Sequence, residues 1–337
     1  MSATGRELGG LDMIELDLME SAYRLVTRVI GVTQAEKVLI VTDADKLNIG
    51  RAFASVCRGL GNETVVAIMP MTGEHGNEPP ATIAAAMKAA DVVFAPTTHA
   101  ITHTRARMNA YAAGTRVIIL RGVDEDMMIK GAMTADFEQL KETTARVANA
   151  LSEVDNVRVT SPAGTDVSFA LSGRKVFTLD GYFQEDMGFA ALPGGEAPTS
   201  PVEGTTNGII VVDYSMDSLG RLNQPLKFKV EDGRVVSVSG SSEYVSAIEQ
   251  IFEKDGNARN IAEFAIGTNP KARLIGNLAE DKKLLGTVHF AIGDNKSLGG
   301  SVEASIHLDG LILKPTVTAD NKRTLVEDGR LMGWLTS

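Results

Sequence analysis

The histidines and carboxylates of the C-terminal half carry the strongest chemical signal in this sequence. His307 and Asp309 are two residues apart, and the segments 304–306 and 310–313 on either side are largely apolar. On a β-strand, residues i and i+2 project from the same face, so the imidazole and the carboxylate would point together. A buried carboxylate without a partner is costly. The pair is therefore either part of a metal site or a His–Asp hydrogen bond at the edge of a sheet.

A third candidate ligand lies on the preceding apolar segment. His289 is the single polar ring in the run 286–293, and a polar turn over 294–300 returns the chain antiparallel to 302–309. Two neighbouring strands would then present His289, His307 and Asp309 to one point. Two imidazoles and one carboxylate suit Zn²⁺, Fe²⁺, Co²⁺ or Mn²⁺. The spacing thus favours a metal centre in this half of the chain.

The other three histidines lie in the first half. His75, His99 and His103 each come after a predicted strand. Ligands of α/β folds collect at that edge of the sheet. A single histidine is nevertheless more often structural than functional, so residue type alone leaves the role of each open.

Residues 37–120 must form the framework of that first half, because short apolar runs alternate there with amphipathic ones. The predicted strands are 37–41, 64–69, 91–95 and 116–120, and the predicted helices are 46–60, 79–90 and 104–113. Wholly apolar strands separated by helices predict a parallel sheet with helices on both faces, an α/β arrangement. The segment after the first strand has neither a glycine-rich dinucleotide fingerprint nor a phosphate-binding loop. A long helix over about 134–153 is expected to close this half.

From residue 157 the pattern changes to short strands between Gly, Pro and Asp turns. Strands are predicted at 156–160, 166–171, 175–178, 226–230 and 235–238, with a helix at 242–254. The segment Glu231-Asp232-Gly233-Arg234 between the last two strands is typical of a hairpin turn. We therefore expect an α/β domain over 1–150 and a mainly antiparallel β domain over 151–337 that carries the metal site.

Composition limits the function classes. The chain has 337 residues, too many for one comfortable core, and a formal net charge of -10, which argues against nucleic acid as a partner. Cys57 is the only cysteine and lies in an apolar stretch, so we expect a core residue and a reducing compartment. The acidic N-terminus is unlike a signal peptide. The sequence contains no run of 18 uncharged apolar residues, the length that a membrane span requires. The sequence thus indicates a cytoplasmic protein.

Four segments together resemble the M29 metallo-aminopeptidases, the aminopeptidase T and aminopeptidase S group. They are Leu-Pro-Gly-Gly-Glu-Ala-Pro-Thr-Ser-Pro at 192–201, Ala-Glu-Phe-Ala-Ile-Gly-Thr-Asn-Pro at 262–270, Gly-Thr-Val-His-Phe-Ala-Ile-Gly at 286–293 and Ser-Ile-His-Leu-Asp at 305–309. The segments 75–80 and 102–107 are similar to the same family. The resemblance covers essentially the whole chain in the same order.

This resemblance implies an exopeptidase that removes N-terminal residues from small peptides with two divalent metal ions, Zn, Co, Mn or Mg. The implied ligands are Glu196, Glu263, His289, His307 and Asp309, with Glu263 bridging both ions. Two such ions activate a bridging water and polarise the scissile carbonyl. The relatives also imply a homodimer.

Roles at the substrate follow from the same resemblance. We assign catalytic roles to Glu263, Lys296 and His103, and we place His99 and His103 at the substrate. The family carries a tyrosine shortly after the histidine that matches His289, whereas residues 290–306 contain none and Lys296 lies near that position. Lys296 would then stabilise the developing oxyanion as a cation. Two other interpretations remain open. Lys296 is a solvated turn residue, or the activity differs from peptide hydrolysis.

Two alternatives remain open. A ring-opening dioxygenase that acts on dihydroxypyridine is similar to the same fold, and two histidines with one carboxylate are the ligand set of non-haem iron oxygenases. That enzyme pairs a His-x-Asp motif with a histidine in the loop that matches 102–104, and its other iron ligand would match Glu263. A metal-binding relative without peptidase activity is the second alternative.

Overall fold

The chain folds into two compact units, Met1–Lys130 and Gly131–Ser337, in a computed structural model that describes residues 13–336. Residues 1–12, the start of the acidic N-terminal segment, lie outside the described residues. The boundary falls at Lys130 and not near residue 150, as the sequence pattern had suggested. The reason is that the helix Phe137–Ser152 packs Val147 and Leu151 into the hydrophobic core of the second unit.

The first unit is a four-stranded parallel sheet with helical connections. Its strands are β1 (Val38–Thr42), β2 (Thr64–Ile68), β3 (Val92–Thr97) and β4 (Arg116–Arg121), and its helices are α1 (Met13–Arg24), α2 (Leu47–Gly59), α3 (Ala81–Met87), α4 (Arg105–Ala112) and α5 (Glu125–Lys130). A π-helical turn, Leu25–Val29, and a 3₁₀ turn, Ala44–Lys46, complete it. The strand order is β2-β1-β3-β4.

Burial explains why two of these strands, β1 and β3, are almost wholly apolar. Every residue of β1 and β3 is buried, which requires cover on both faces of the sheet. Phe53 of α2 stacks on Phe94 of β3 with 4.7 Å between ring centroids. Cys57, on the same helix, is fully buried, which agrees with the core position expected for it.

The second unit is mainly antiparallel β. Its helices are α6 (Phe137–Ser152), α7 (Ser242–Lys254), α8 (Leu278–Asp281) and α9 (Gly333–Thr336). Its strands are β5 (Asn156–Thr160), β6 (Asp166–Ala170), β7 (Phe189–Ala191), β8 (Glu196–Thr199), β9 (Asn207–Val212), β10 (Ser215–Met216), β11 (Gly220–Arg221), β12 (Leu226–Glu231), β13 (Arg234–Ser239), β14 (Ile261–Gly267), β15 (Val288–Gly293), β16 (His307–Ile312), β17 (Thr316–Ala319), β18 (Arg323–Glu327) and β19 (Arg330–Leu331). Three 3₁₀ turns, Ala132–Thr134, Gly256–Arg259 and Lys296–Leu298, join them.

Two sheets of this unit pack around one core. The six-stranded sheet has the order β11-β10-β16-β15-β14-β8, and the eight-stranded sheet has the order β13-β12-β9-β6-β5-β17-β18-β19. Phe169 of the larger sheet contacts Phe264 and Phe290 of the smaller one at centroid distances of 5.0 and 5.6 Å. Side chains from two inner faces thus interdigitate, as in other packed sheets.

The predicted fold class is confirmed: a parallel α/β sheet precedes a mainly antiparallel β region. The predicted hairpin is present as β12 and β13, with a bulge between Lys229 and Val230. The predicted strand 175–178 is wrong as a regular strand, because residues 176 and 179 make only isolated bridges, to Thr199 and Glu196. No helix within residues 13–336 is long and apolar enough to cross a bilayer.

Candidate metal centre

Strand register brings the five predicted metal ligands onto one face of the six-stranded sheet. Glu196 lies on β8, Glu263 on β14, His289 on β15, and His307 and Asp309 on β16. Directly paired residues of antiparallel strands share a face. The register pairs each ligand with a small residue: Glu196 with Gly267, His289 with Ala265, His307 with Gly293, and both Glu263 and Asp309 with Ala291. These small neighbours leave room for five polar side chains on one surface.

The same strands send their alternate residues into the core. Phe264 and Phe290 follow Glu263 and His289 directly and lie 5.3 Å apart on the opposite face. Glu263 and His289 are buried, with 5% and 0% of their surfaces exposed, whereas the His307 side chain is 18% exposed. The cluster is therefore a largely dry site whose accessible member is His307.

Glu263 connects two groups of ligand atoms. Its Oε1 lies 3.1 Å from His289 Nε2, and its Oε2 lies 2.9 Å from His307 Nε2. His289 Nε2 is also 3.4 Å from Glu196 Oε2, and His307 Nε2 is 3.4 Å from Asp309 Oδ1. Two sets able to hold a cation result, Glu196–Glu263–His289 and Glu263–His307–Asp309, each with its ligand atoms within 4.8 Å of one another.

The donor chemistry fits a transition-metal ion. His307 Nδ1 lies 2.8 Å from the Asp294 carbonyl, so Nδ1–H donates there and Nε2 faces the carboxylates. Metal-binding histidines are usually fixed by such an outer hydrogen bond. Among the described residues, Glu196 Oε2, His289 Nδ1 and Asp309 Oδ1 are buried without a hydrogen-bond partner. Orphaned acceptors on facing carboxylates are what a bound cation would satisfy.

Two lysines that the sequence reasoning missed complete the cluster. Lys282 Nζ lies 2.8 Å from Asp309 Oδ2 and 3.4 Å from Glu196 Oε2, and Lys283 Nζ pairs with Glu196 Oε1. Their side chains are only 13% and 5% exposed. The available signal was the pair of lysines directly after two acids in an apolar context, since a buried lysine requires a carboxylate partner.

The acids before these lysines hold them in place. Glu280 Oε1 accepts the backbone N–H groups of Ala132 and Arg273 at 3.2 and 3.0 Å. Asp281 Oδ1 accepts those of Ile275 and Gly276 at 2.7 and 3.1 Å. Both acids are fully buried. They fix the end of α8, from which the lysines reach the cluster.

The cluster is strongly ionised despite its burial. Burial and the Asp309 carboxylate oppose ionisation of Glu263, yet hydrogen bonds from His289 and His307 hold the pKa of Glu263 well below its usual value. Burial is likewise outweighed at Asp309, where Lys282 and His307 lower the pKa, and at His307, whose pKa the two carboxylates raise. Opposite charges at a few ångströms explain these directions.

The two lysines respond in opposite directions. Burial disfavours the charged form of both, but Asp309, Glu196 and Glu263 together raise the pKa of Lys282. Burial dominates at Lys283, and its pKa falls to about 8 although Glu196 opposes the change. Lys282 is therefore the permanent cation of the cluster.

Lys296 does not occupy the catalytic position predicted for it. Its ammonium pairs with Glu303, and the two side chains are 54% and 75% exposed. Only its backbone is near the centre, because Lys296 N–H donates to Asp294, whose carbonyl holds His307. Lys296 is thus a solvated turn residue, the other interpretation that its sequence position allowed.

His99 and His103 belong to the first unit, so the roles predicted for them at the substrate, and the catalytic role of His103, stay predictions. His99 packs edge-on against His75 with 5.2 Å between ring centroids, and His75 Nδ1 accepts the Ala100 N–H at 3.0 Å. The loop with His103 is held by Arg107, whose Nε–H donates to the Thr102 carbonyl at 2.7 Å.

Comparison with known proteins assigns the chain to a family. The sequence profile of the NicX family, described as 2,5-dihydroxypyridine 5,6-dioxygenase, matches residues 18–333. This chain belongs to the NicX family. A 2,5-dihydroxypyridine 5,6-dioxygenase of Pseudomonas putida is 23% identical to it over 255 residues, which cover 72% of this chain and 71% of that relative.

Two solved structures share the fold of this chain over most of its length. The 2,5-dihydroxypyridine dioxygenase from Pseudomonas putida KT2440 matches with a TM-score of 0.81 and 17% identity, over 95% of this chain and 98% of that one. AmpT from Thermus thermophilus matches with a TM-score of 0.69 and 14% identity, over 95% and 100%. The resemblance to the M29 group is therefore correct for the fold, whereas the family is that of the dioxygenases.

Proposed function

We propose that this chain is a non-haem iron dioxygenase that opens a hydroxylated nitrogen-containing aromatic ring, the alternative that the sequence left open. The observation that carries the proposal is the set Glu263–His307–Asp309, with His307 Nε2 turned toward both carboxylates, in a chain of the NicX family. The substrate class follows from the dihydroxypyridine named for that family and for its Pseudomonas putida relative. The aminopeptidase activity becomes the second candidate.

The ligands available suit iron. Glu263, His307 and Asp309 supply one imidazole and two carboxylates around one point, and a second imidazole, that of His289, lies 3.1 Å from Glu263 Oε1. Imidazoles and carboxylates are the ligand types that hold Fe²⁺ in oxygenases. A ferrous ion bound there would supply the one-electron chemistry that dioxygen requires. The sheet buries Glu263, His289 and Asp309 almost completely, and the partly exposed His307 marks the approach for the substrate.

The test is oxygen uptake by protein reconstituted with Fe²⁺ under anaerobic conditions. With 2,5-dihydroxypyridine we expect about one O₂ consumed per ring consumed, measured with an oxygen electrode and by loss of ring absorbance. His307→Ala should abolish uptake by removing a ligand. The control is Lys296→Met, because the Lys296 side chain pairs with exposed Glu303. This variant should retain oxygen uptake. Iron-loaded protein that consumes neither oxygen nor ring would contradict the proposal.

One observation favours the second candidate, a two-metal aminopeptidase. Glu263 is shared by both ligand sets, as a bridging carboxylate would be. The peptidase should hydrolyse amino-acyl amides with a free α-amino group and leave N-acetylated amides intact. Protein loaded with Zn²⁺, Co²⁺, Mn²⁺ or Mg²⁺ should be assayed beside the iron form. Hydrolysis without oxygen uptake would select the peptidase.

A further inference from the structure

We infer that Asn295 is a positioning residue of the metal centre. Its buried side-chain amide fixes the carbonyl of Asp294, and that carbonyl orients the imidazole of His307 toward the carboxylates. The inference rests on the proposed function only in taking His307 as a metal ligand. Asn295 acts through the backbone of its neighbour.

The peptide group between Asp294 and Asn295 is held at both of its ends. Its carbonyl accepts the His307 Nδ1–H at 2.8 Å, and its N–H donates to the Val302 carbonyl at 3.2 Å. The C=O and N–H of a trans peptide lie in one plane and point in opposite directions. The bond to Val302 therefore sets the direction in which the carbonyl meets His307, and with it the direction of His307 Nε2.

The side chain of Asn295 holds Val302 in turn and connects it to a distant segment. Its Oδ1 accepts the Val302 N–H at 2.8 Å, so the two residues are joined by a reciprocal pair of hydrogen bonds. Its Nδ2 donates to Ser200 Oγ at 2.9 Å and to Glu203 Oε1 at 3.0 Å. Among side chains, only an amide combines one acceptor with two donors in one planar group. These contacts explain an asparagine that is fully buried.

The surrounding chain leaves space for this amide and holds its acceptor. Glu203 Oε1 also accepts the Ser301 N–H at 2.7 Å, and Arg174 pairs with the other oxygen, Oε2. A Cβ at Gly300 would lie 2.0 Å from Asn295 Cγ. A side chain at residue 300 would therefore displace the amide.

The experiment follows Zn²⁺ affinity and the His307 ring, without iron or oxygen. Protein with ¹⁵N-labelled histidine is saturated with Zn²⁺, and comparison with His307→Ala identifies the signal of this ring among the five histidines. In the wild type we expect a sharp Nδ1–H signal, because the Asp294 carbonyl holds that proton. Competition with a chelating dye gives the dissociation constant of Zn²⁺.

Asn295→Asp is the first variant. It keeps an acceptor for the Val302 N–H but replaces the amide donor by a second carboxylate that faces Glu203. The affinity for Zn²⁺ should fall by roughly 10- to 100-fold, the range for loss of an outer partner of a ligand. The His307 Nδ1–H signal should broaden, because its acceptor is no longer fixed.

Two further variants test the same contact from other directions. Asn295→Asp combined with Glu203→Gln exchanges donor and acceptor and restores the net charge, so it should recover most of the affinity and a sharper His307 signal. Gly300→Ala retains the amide in the sequence but fills its place, so it should weaken Zn²⁺ binding without a change of charge.

Asn62→Asp in the first unit is the matched control. Asn62 is 6% exposed, and its Nδ2 donates to the Thr33 and Glu36 carbonyls at 2.7 and 3.0 Å. The variant loses two hydrogen bonds of the same kind, so it should unfold at a lower urea concentration. Its Zn²⁺ affinity and its His307 signal should equal those of the wild type.

A folding defect does not obscure the result, because Ser200→Ala removes only one acceptor of the amide and should still weaken Zn²⁺ binding, by a smaller factor. Wild-type affinity and an unchanged His307 signal in folded Asn295→Asp or Ser200→Ala would overturn the inference and leave the metal centre standing. An equal loss of affinity in Asn62→Asp would also overturn it, since lost stability alone would then account for the effect. A wild type that binds no Zn²⁺ would overturn the inference and the metal centre together. The result does not depend on oxygen uptake by the iron form, which tests the dioxygenase separately.

Discussion

At the scale of residues, the centre depends on what faces each ligand. Ala291 lies between Glu263 and Asp309 in the register, and its small side chain leaves room for ligand atoms of both carboxylates within 4.8 Å of one another. Lys282 joins Asp309 to Glu196 from the other side. The carboxylates therefore alternate with cations or histidines, which is how a buried cluster of acids stays ionised.

Asp309→Asn tests this balance, because it keeps the shape and removes the charge. Metal affinity should fall by more than the roughly 10- to 100-fold typical for loss of an outer-shell partner. Lys282 would retain only Glu196, so we also expect about 1–3 kcal/mol lower stability of the metal-free protein. Isothermal titration with Mn²⁺ and urea unfolding measure the two effects. Unchanged Mn²⁺ affinity would remove Asp309 from the ligand set.

Cys57 provides a second test at this scale, on a residue outside the centre. Burial raises the pKa of its thiol to about 12, and its surface is fully covered. Only the thiolate reacts readily with disulfide reagents. Native protein should therefore give almost no reaction with Ellman's reagent up to about pH 9, and one thiol per chain should appear in guanidinium. Rapid labelling of the folded protein would show that α2 opens easily.

At the scale of elements, the six-stranded sheet performs two tasks on its two faces. Glu263 points to the metal cluster, while its neighbour Phe264 is fully buried between Phe169 and Phe290. The positions of the ligands therefore depend on packing behind them. A change that disturbs the aromatic contacts should affect metal binding without touching a ligand.

Phe264→Ala is the direct test of that dependence. Truncating a buried phenylalanine costs about 3–5 kcal/mol of stability. Val65→Ala on β2, where the side chain is 56% exposed, should stay within about 0.5 kcal/mol. Urea unfolding gives both values, and Mn²⁺ titration of folded Phe264→Ala should show weaker binding than wild type. Equal stability of the two variants would mean that the sheets do not pack through this contact.

Much of this architecture could be predicted from the sequence. Short apolar runs located the strands around His289 and His307, and the polar turn between them indicated the antiparallel pairing. The parallel strands of the first unit were equally clear, because strands buried on both faces are continuous apolar runs. Local sequence patterns are therefore sufficient to predict these strands.

What the sequence did not predict depends on contacts between distant segments. Lys282 reaches Asp309 across 27 residues, and Glu280 reaches Ala132 across 148. The hydrophobic periodicity of a sequence does not indicate contacts between such distant residues. The catalytic role predicted for Lys296 is not supported, for the converse reason. Its backbone is near His307, but its side chain turns to Glu303. The predicted boundary was misplaced because helix α6 follows the first unit closely in sequence but packs in the core of the second unit.

At the scale of the whole molecule, the oligomeric state is still a prediction. The resemblance implied a homodimer, and the chain has a mass of 35.8 kDa. Size-exclusion chromatography with light scattering should therefore give twice that mass at micromolar concentration. A mass that stays at the monomer value over a tenfold range of concentration would show that the dimer does not form.

Metal binding should also be visible in the stability of the molecule, and in one unit before the other. All five ligands and both lysines lie within Gly131–Ser337, so a cation stabilises that unit directly. Free Mn²⁺ at 100 times its dissociation constant adds about 2.7 kcal/mol to the folded form. Hydrogen exchange should slow in peptides from β14, β15 and β16 when Mn²⁺ replaces EDTA, because their opening then requires release of the ion. Peptides from β1 and β3, which carry no ligand, serve as the internal control. Equal exchange in the six-stranded sheet with and without Mn²⁺, at saturating metal, would mean that these strands do not hold the ion.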